Sequence, residues 1–387
     1  MQLNNVKILG RNDNSSQIEI TGSIISSVNQ FTKQLPNSPQ ENIINFNDVI
    51  AFPGLINSHD HLEFNLFPKL CNKVYDDYVD WGNNIHEMNK EQIDRVLKIP
   101  YDLRFKWGLY KNLICGITTV AHHGTGKVDN YKYMPDIISK YNYLHSVRLE
   151  KHWRFKLNLM LNSNPFVIHI GEGKNLKSFN EINDLIKWNV IRKKIICIHG
   201  ISLNEMQSRR FEALVWCPDS NLNLYNKTAE ISKIKNNTNI LFGTDSNLSA
   251  DWNIWNHLRL ARNMHYLSDK ELYNSITESA AEVWNINSLG FLSVDHTADI
   301  VVIKNKNKNE WDSFYNTNPE DILLILKHGK IVFIDASLVE EEPVIKLQYF
   351  DLISIKSIRK YVTKGIIELM KSIKSYVPEY DFPVSTS

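Results

Sequence analysis

Pro53-Gly54-Leu55-Ile56-Asn57-Ser58-His59-Asp60-His61 places two histidines two residues apart at the end of a short apolar run. On a strand, residues at that spacing face the same side. Both imidazoles therefore reach one point in space, and Asp60 points away from it. Outward from this stretch the chain alternates short apolar runs with amphipathic helical patterns. The runs are Ile117 to Val120, Tyr143 to Leu149, Phe166 to His169, Ile195 to His199, Leu214 to Cys217 and Ile240 to Asp245. Repeated strand–helix alternation predicts an α/β fold with a parallel sheet, and at this length a (β/α)8 TIM-like barrel over residues 53–289. His59, His61, His169, His199 and Asp245 all fall at the C-terminal ends of predicted strands, where such barrels carry their chemistry. About 45 residues separate Val120 from Phe166. That is short for two complete strand–helix units, so one unit is expected to be abbreviated, around Phe155 to Leu161.

Both ends of the chain read differently. Val6 to Leu9, Gln17 to Ile20 and Gly22 to Val28 are strand-like, as are Ala298 to Ile303, Leu323 to Leu326 and Lys330 to Ile334. The turn His328-Gly329 separates the last two. These runs predict a small β-sandwich domain built from residues 1–52 and 290–345, with the barrel inserted between them. Residues 346–387 read as a C-terminal amphipathic helix and tail. Ile355, Ile358, Val362, Ile366, Leu369 and Ile373 recur at helical spacing from Leu352 to Val377, and Lys356, Lys360, Lys364, Lys371 and Lys374 mark a solvated face.

Composition narrows the class. The chain has 387 residues, 43% hydrophobic and 22% charged, with a formal net charge of +1. That balance argues against nucleic acid or an anionic membrane as the main partner. Cys71, Cys115, Cys197 and Cys217 are scattered without a C-x-x-C pair, which predicts reduced thiols and a cytoplasmic protein. The first residues lack the apolar stretch of a signal peptide, and no run approaches the ~20 apolar residues of a membrane span.

Taken in order, Pro53 to His61, Gly116-Ile117-Thr118-Thr119-Val120, Val167-Ile168-His169-Ile170-Gly171-Glu172, Ile198-His199-Gly200, Trp216-Cys217-Pro218-Asp219-Ser220-Asn221 and Gly243-Thr244-Asp245-Ser246 resemble the amidohydrolase superfamily, in its cytosine-deaminase-like and chlorohydrolase-like branch. The stretch from Gly290 to Val302 is similar to that family's return into its β-domain. The resemblance runs from about residue 6 to 335. It implies one divalent metal ion, Zn2+ with Fe2+ as the alternative, held by His59, His61, His169 and Asp245. It also implies that Glu172 handles protons and that His199 orients water or substrate. Glu150 or Lys151 would be the candidates for holding a second ion, but neither lies in a recognisable motif.

The chemistry suits these residue types. Neutral imidazoles and a carboxylate bind zinc or ferrous iron, and such an ion acidifies its water toward neutrality. Asp245 could then accept that proton, Glu172 carry one to a ring nitrogen or leaving amine, and His199 bond the oxyanion. The resulting expectation is a metal-dependent hydrolase, an aminohydrolase acting through a metal-bound hydroxide on a cyclic amidine or nucleobase-like small molecule. The alternatives are an amide, cyclic-amide or carbon–halogen hydrolase on the same scaffold, and a catalytically silent binding barrel. His123, Trp81 and Asn221 are the candidate substrate contacts, each set against a plain packing or turn-forming role; His145 is expected to be core. No nucleic acid or membrane partner is expected, and a homodimer is the oligomeric candidate.

Overall fold

In the computed structural model, which describes residues 1–12, 15–32, 43–124, 131–160, 162–341 and 347–386, eight parallel strands follow one another in chain order. They are Leu55–Asp60, Ile117–His122, Asp136–Ile137, Asn142–Ser146, Phe166–Ile170, Ile195–His199, Ala213–Trp216 and Asn239–Phe242. The first three form one ladder and the last five another. The ladders touch where Asp60 bridges Asp245, linking the first strand to the end of the eighth. Among the described residues no ladder joins the third strand to the fourth. The architecture is a TIM-barrel-like α/β fold. Its strands read as nearly continuous apolar runs because parallel strands are covered on both faces.

Strand alternation sorts those runs into two layers. Ile56, Ala121, Val167, Ile196, Ile198, Val215 and Leu241 fill the interior, over a floor that includes Ala280 and Trp284. Ile168, Ile170, Cys197, Leu214 and Phe242 face outward against the surrounding helices. Fully burying one such large side chain contributes about 1.5–3 kcal/mol, so the two layers carry most of the barrel's stability.

The compression between Val120 and Phe166 falls elsewhere than expected. The third strand has only two residues, and no helix separates it from the fourth. Phe155 lies in an ordinary helix, Trp153–Leu159, whereas Leu161 is outside the described residues.

Strands from both chain ends form an eleven-stranded sheet. Val49–Pro53 pairs antiparallel with Ile300–Lys304, which joins the two ends on either side of the barrel. Leu3, Val6, Ile18, Val302, Leu324 and Ile334 lie in its core. Lys327 fastens this sheet to the barrel. Its ammonium, 2% exposed, lies 2.8 Å from Asp299 and 2.6 Å from Asp136 of the third barrel strand.

The C-terminal expectation needs correction. Residues 352–363 are not helical. Phe350–Ile355 and Ile358–Thr363 form an antiparallel hairpin, and only Ile366–Tyr376 is helix. Two causes outweigh the helical spacing. Lys356 and Ser357 take positive φ, as a tight hairpin turn requires. Lys360 is not solvated: it is fully buried and bonded to Asp335 at 2.6 Å and to the Ile322 carbonyl. An apolar face with period near two was present as well, in Ile353, Ile355 and Val362, all buried. The helix then docks on Tyr101–Ile114, where the Tyr110 hydroxyl donates to the carbonyls of Thr363 and Lys364. The predicted boundary at 345/346 lies outside the described residues. No described helix is long and apolar enough to cross a membrane.

Replacing one member of a buried ion pair strands the other. Lys327→Met is therefore expected to lower unfolding free energy by about 3–5 kcal/mol, read by urea denaturation, and Asp299→Asn in the same chain should recover part of the loss.

Candidate metal centre

Four strand ends, the first, fifth, sixth and eighth, supply the converging side chains, and the first, sixth and eighth depart locally from regular geometry. In the first strand Asn57 pairs with Val120 but Asp60 pairs with His122, so one extra residue sits on that strand. Such a bulge re-aims the side chains that follow it. His59 and His61 turn inward, and Asp60 turns outward to Lys111 at 3.1 Å, Asn112 at 2.7 Å and Asn65 at 2.8 Å. In the sixth strand, alternation would place His199 outward with Ile195 and Cys197. His199 instead adopts φ +66°, which swings its ring back beside His169 and His59, with centroids 5.4 and 5.7 Å away. Asp245 sits at φ +60° just past the eighth strand. Left-handed backbone costs a non-glycine residue roughly 1–2 kcal/mol. Gly243 leaves room for the approach: a Cβ there would stand 2.8 Å from the His59 Cβ.

The resulting cluster is buried. His59 Nε2 and His61 Nε2 each lie 3.7 Å from Asp245 Oδ1, and His59 Nε2 lies 3.3 Å from His169 Nε2. Ligand atoms of His59, His61 and His169 lie within 4.8 Å of one another, as do those of His169, Glu172 and His199. Burial, then neighbouring histidines, hold His61 and His169 well below the usual imidazole pKa, so both are neutral. His169 Nδ1 faces the His145 carbonyl at 3.1 Å. A carbonyl only accepts, so Nδ1 carries the proton and Nε2 turns its lone pair toward His59 Nε2. Three imidazoles that converge on one buried space, with a carboxylate 3.7 Å from two of them, fit a divalent cation.

A second tier of contacts orients this set. Asp245 Oδ2 accepts from Ser220 Oγ at 2.8 Å and Ser249 Oγ at 2.6 Å, while Oδ1 faces the histidines. His199 Nδ1 meets Asn221 Oδ1 at 2.8 Å, which makes Nδ1 the donor and directs Nε2 toward Glu172, 3.8 Å away. Glu172 Oε1 accepts from the Tyr225 hydroxyl at 2.7 Å. Burial is the largest influence on that carboxyl and pushes it up to about 8, against the lowering effect of the Tyr225 bond.

The Glu172 segment is itself clamped. Tyr78 N donates to the Glu172 carbonyl, and Gly171 N donates to Glu181 Oε1. Arg148 reaches both Asp77 at 2.9 Å and Glu181 at 3.0 Å. Gly173 permits this, since a Cβ there would strike Asp77 Cβ at 2.6 Å.

His59, His61, His169, Glu172, His199 and Asp245 are thus brought together. His123 joins them: its ring lies 4.3 Å from that of His169, and both its nitrogens are buried without a partner. Trp81 and Asn221 each make contacts within the protein itself. The Trp81 indole donates to the Leu70 carbonyl and packs beside Tyr75 and Leu224. The Asn221 amide is used up by His199 and Thr228. His145 is not a core residue; it faces His169 with ring centroids 5.3 Å apart. Tyr225, Ser220 and Ser249 went unread in the sequence, although Ser220 lies inside the motif Cys217-Pro218-Asp219-Ser220-Asn221.

The sequence pattern of the amidohydrolase family matches residues 160–332, which contain His169, Glu172, His199 and Asp245. Residues 160–332 are thus similar to the amidohydrolase family. The chain is 24% identical to the 5-methylthioadenosine/S-adenosylhomocysteine deaminase of Caldicellulosiruptor saccharolyticus over 84% of this chain and 88% of that one. Its fold is similar to that of a zinc-bound adenosine deaminase from Xanthomonas campestris, with TM-score 0.69, 12% identity and 98% of both chains covered. It is also similar to a zinc-bound atrazine chlorohydrolase from Arthrobacter aurescens, with TM-score 0.68, 14% identity and 97% and 100% covered. The chain is a metal-dependent hydrolase of carbon–nitrogen bonds, and its histidine-rich centre suits a divalent ion.

Contacts behind a ligand usually set metal affinity by about 10–100-fold. Ser249→Ala is expected to weaken metal binding by that factor without unfolding the chain, as measured by chelator competition and a thermal melt.

Proposed function

We propose that this protein is an aminohydrolase that releases ammonia from a cyclic amidine in a nucleobase-like ring. His59, His61, His169 and Asp245 hold one zinc ion in this reading, and Glu172, His199 and Asp245 manage the protons. When bound, the ion acts as a Lewis acid and brings the pKa of a water it binds close to neutral.

The observation that carries the proposal is Glu172, a buried carboxyl with pKa raised to about 8, beside His199 and among the metal donors. Such a group still holds its proton at neutral pH. An amino group cannot leave as the strongly basic amide ion and departs as ammonia only after its nitrogen is protonated, whereas chloride needs no proton. A protonated carboxyl in this place therefore favours cleavage of an amine over a halide. Tyr225 keeps Glu172 Oε1 in a fixed position, so proton transfer need not wait for rotation of the side chain. His199, with Nδ1 committed to Asn221, presents Nε2 to the oxygen that develops charge. Asp245 has one oxygen tied to two serines and the other left for the ion and its water. His123, with neither ring nitrogen satisfied, offers a hydrogen bond to a polar edge of the ring. The relative from Caldicellulosiruptor makes a purine nucleoside the first substrate class to try.

Ammonia release should be measured with adenosine, 5′-methylthioadenosine, S-adenosylhomocysteine, cytosine and guanine, alongside chloride release from a chlorotriazine. The expected result is ammonia from at least one ring; chloride release with no ammonia from any of them would overturn the proposal. Glu172→Gln should keep its metal, by elemental analysis, and lose about 10²–10⁴-fold in turnover. His59→Ala should lose metal and turnover together.

A further inference from the structure

The N-terminal end of the barrel, opposite the metal centre, carries an unusual surface. Phe155, Leu159, Met160, Trp188, Val190 and Ile191 are between 41% and 72% exposed. They form one patch. Phe155 and Leu159 lie one turn apart on the same helix. Asn158 of that helix donates to the Trp188 carbonyl and accepts from Val190 N, and Arg154 lies over the Trp188 ring. Isolated exposed apolar residues are ordinary, but a contiguous group marks a contact surface.

Cations border this patch. A cleft of about 330 Å3 is lined by Asn189, Arg192, Lys193, Arg209 and Arg210, with no carboxylate among its walls. Glu205 reaches Arg209 at 3.7 Å, Glu212 pairs with Lys194 rather than with the cleft, and Lys193 bonds the Asn162 carbonyl. The side chains of Arg192, Arg210 and Lys187 make no hydrogen bond or ion pair among the described residues. Asp184, one turn before Lys187, is the nearby exposed acid on that helix. The net charge of +1 for the whole chain conceals this local excess.

We propose that this face docks on an anionic lipid surface, with Phe155, Leu159 and Val190 entering the interface and Arg192 and Arg210 meeting headgroup phosphates. Charge selects the occupant. A second copy in a two-fold contact would set one cation cluster against another. Phe155, Leu159 and Val190, the most exposed of the apolar side chains, lie outside the walls of the cationic cleft, which suits a fluid interface that reshapes around them. Each cation near such a surface adds to the attraction within a Debye length.

The test is sedimentation of the full chain with vesicles of equal parts phosphatidylglycerol and phosphatidylcholine, against phosphatidylcholine alone. The expected result is pelleting with the anionic vesicles only, reduced as salt rises from about 0.1 M to about 1 M. Arg192→Glu with Arg210→Glu should cut partitioning at least about tenfold, and Leu159→Asp with Val190→Asp should do the same. All four positions are exposed, so thermal melts of both variants should match the parent. Three outcomes overturn the proposal: no pelleting, equal pelleting with neutral vesicles, or binding unchanged in either variant. Light scattering without vesicles gives a fourth: a parent dimer that the Leu159/Val190 variant converts to monomer would assign the face to a second copy.

Discussion

The amides of Thr244 and Asp245 both donate to the carbonyl of His59, at 3.1 and 3.0 Å. That shared acceptor is where the last barrel strand meets the first. It fixes the carboxylate of one beside the imidazoles of the other, and everything chemical in the molecule depends on that registry. The placement is reinforced from behind. Asn57 donates to Thr244 Oγ1 at 2.8 Å and accepts from Thr244 N at 3.1 Å. Asp60 anchors the same corner to the Tyr101–Ile114 helix through its buried bond to Lys111. Buried polar groups of this kind are costly when unpaired and rigid when satisfied, so the corner has little freedom to drift.

Glu172 shows the complementary constraint. Its carboxyl is buried and lies 3.8 Å from His199, and in the proposed reaction it needs both conditions to deliver a proton. The chain meets both needs with a segment bracketed by two glycines and pinned by Tyr78, Glu181 and Asp77. Arg148 pairs with both acids of that clamp, yet burial still raises the Glu181 carboxyl to about 7, beside the Glu172 carboxyl at about 8. Positioning thus relies on residues that never approach the ion.

The sequence made the order of motifs plain, because each donor sits at the end of an apolar run and strand ends are what a parallel barrel presents to one face. His59 and His61 were readable as a pair from their spacing alone. Family order puts His199 and Asp245 at strand ends beside the other histidines, yet alternation by itself turns His199 outward. The left-handed backbone that brings it in has no local signature in Ile198-His199-Gly200 beyond the following glycine. Tyr225 and Ser249 could not be assigned, since their partners are 53 and 4 residues away and only the folded chain reveals the first of these as a contact. The tail misled for a definite reason. Ile355, Ile358 and Val362 satisfy a helical period while Ile353 and Ile355 also satisfy a strand period, and the deciding fact, Lys360 buried against Asp335, is tertiary. The abbreviated unit was legible as a deficit of residues but not as a position: nothing marked Asp136 and Ile137 as a two-residue strand.

The barrel wall is made of two unequal half-shells, three strands and five, that share hydrogen bonds at one seam and lack a ladder at the other. His59 and His61 belong to the smaller shell; His169 and Asp245 belong to the larger. An ion gripped by all four is then a rivet across the joint as well as a reagent. Loading it would stiffen the whole ring, and stripping it would leave the two shells hinged along the remaining seam.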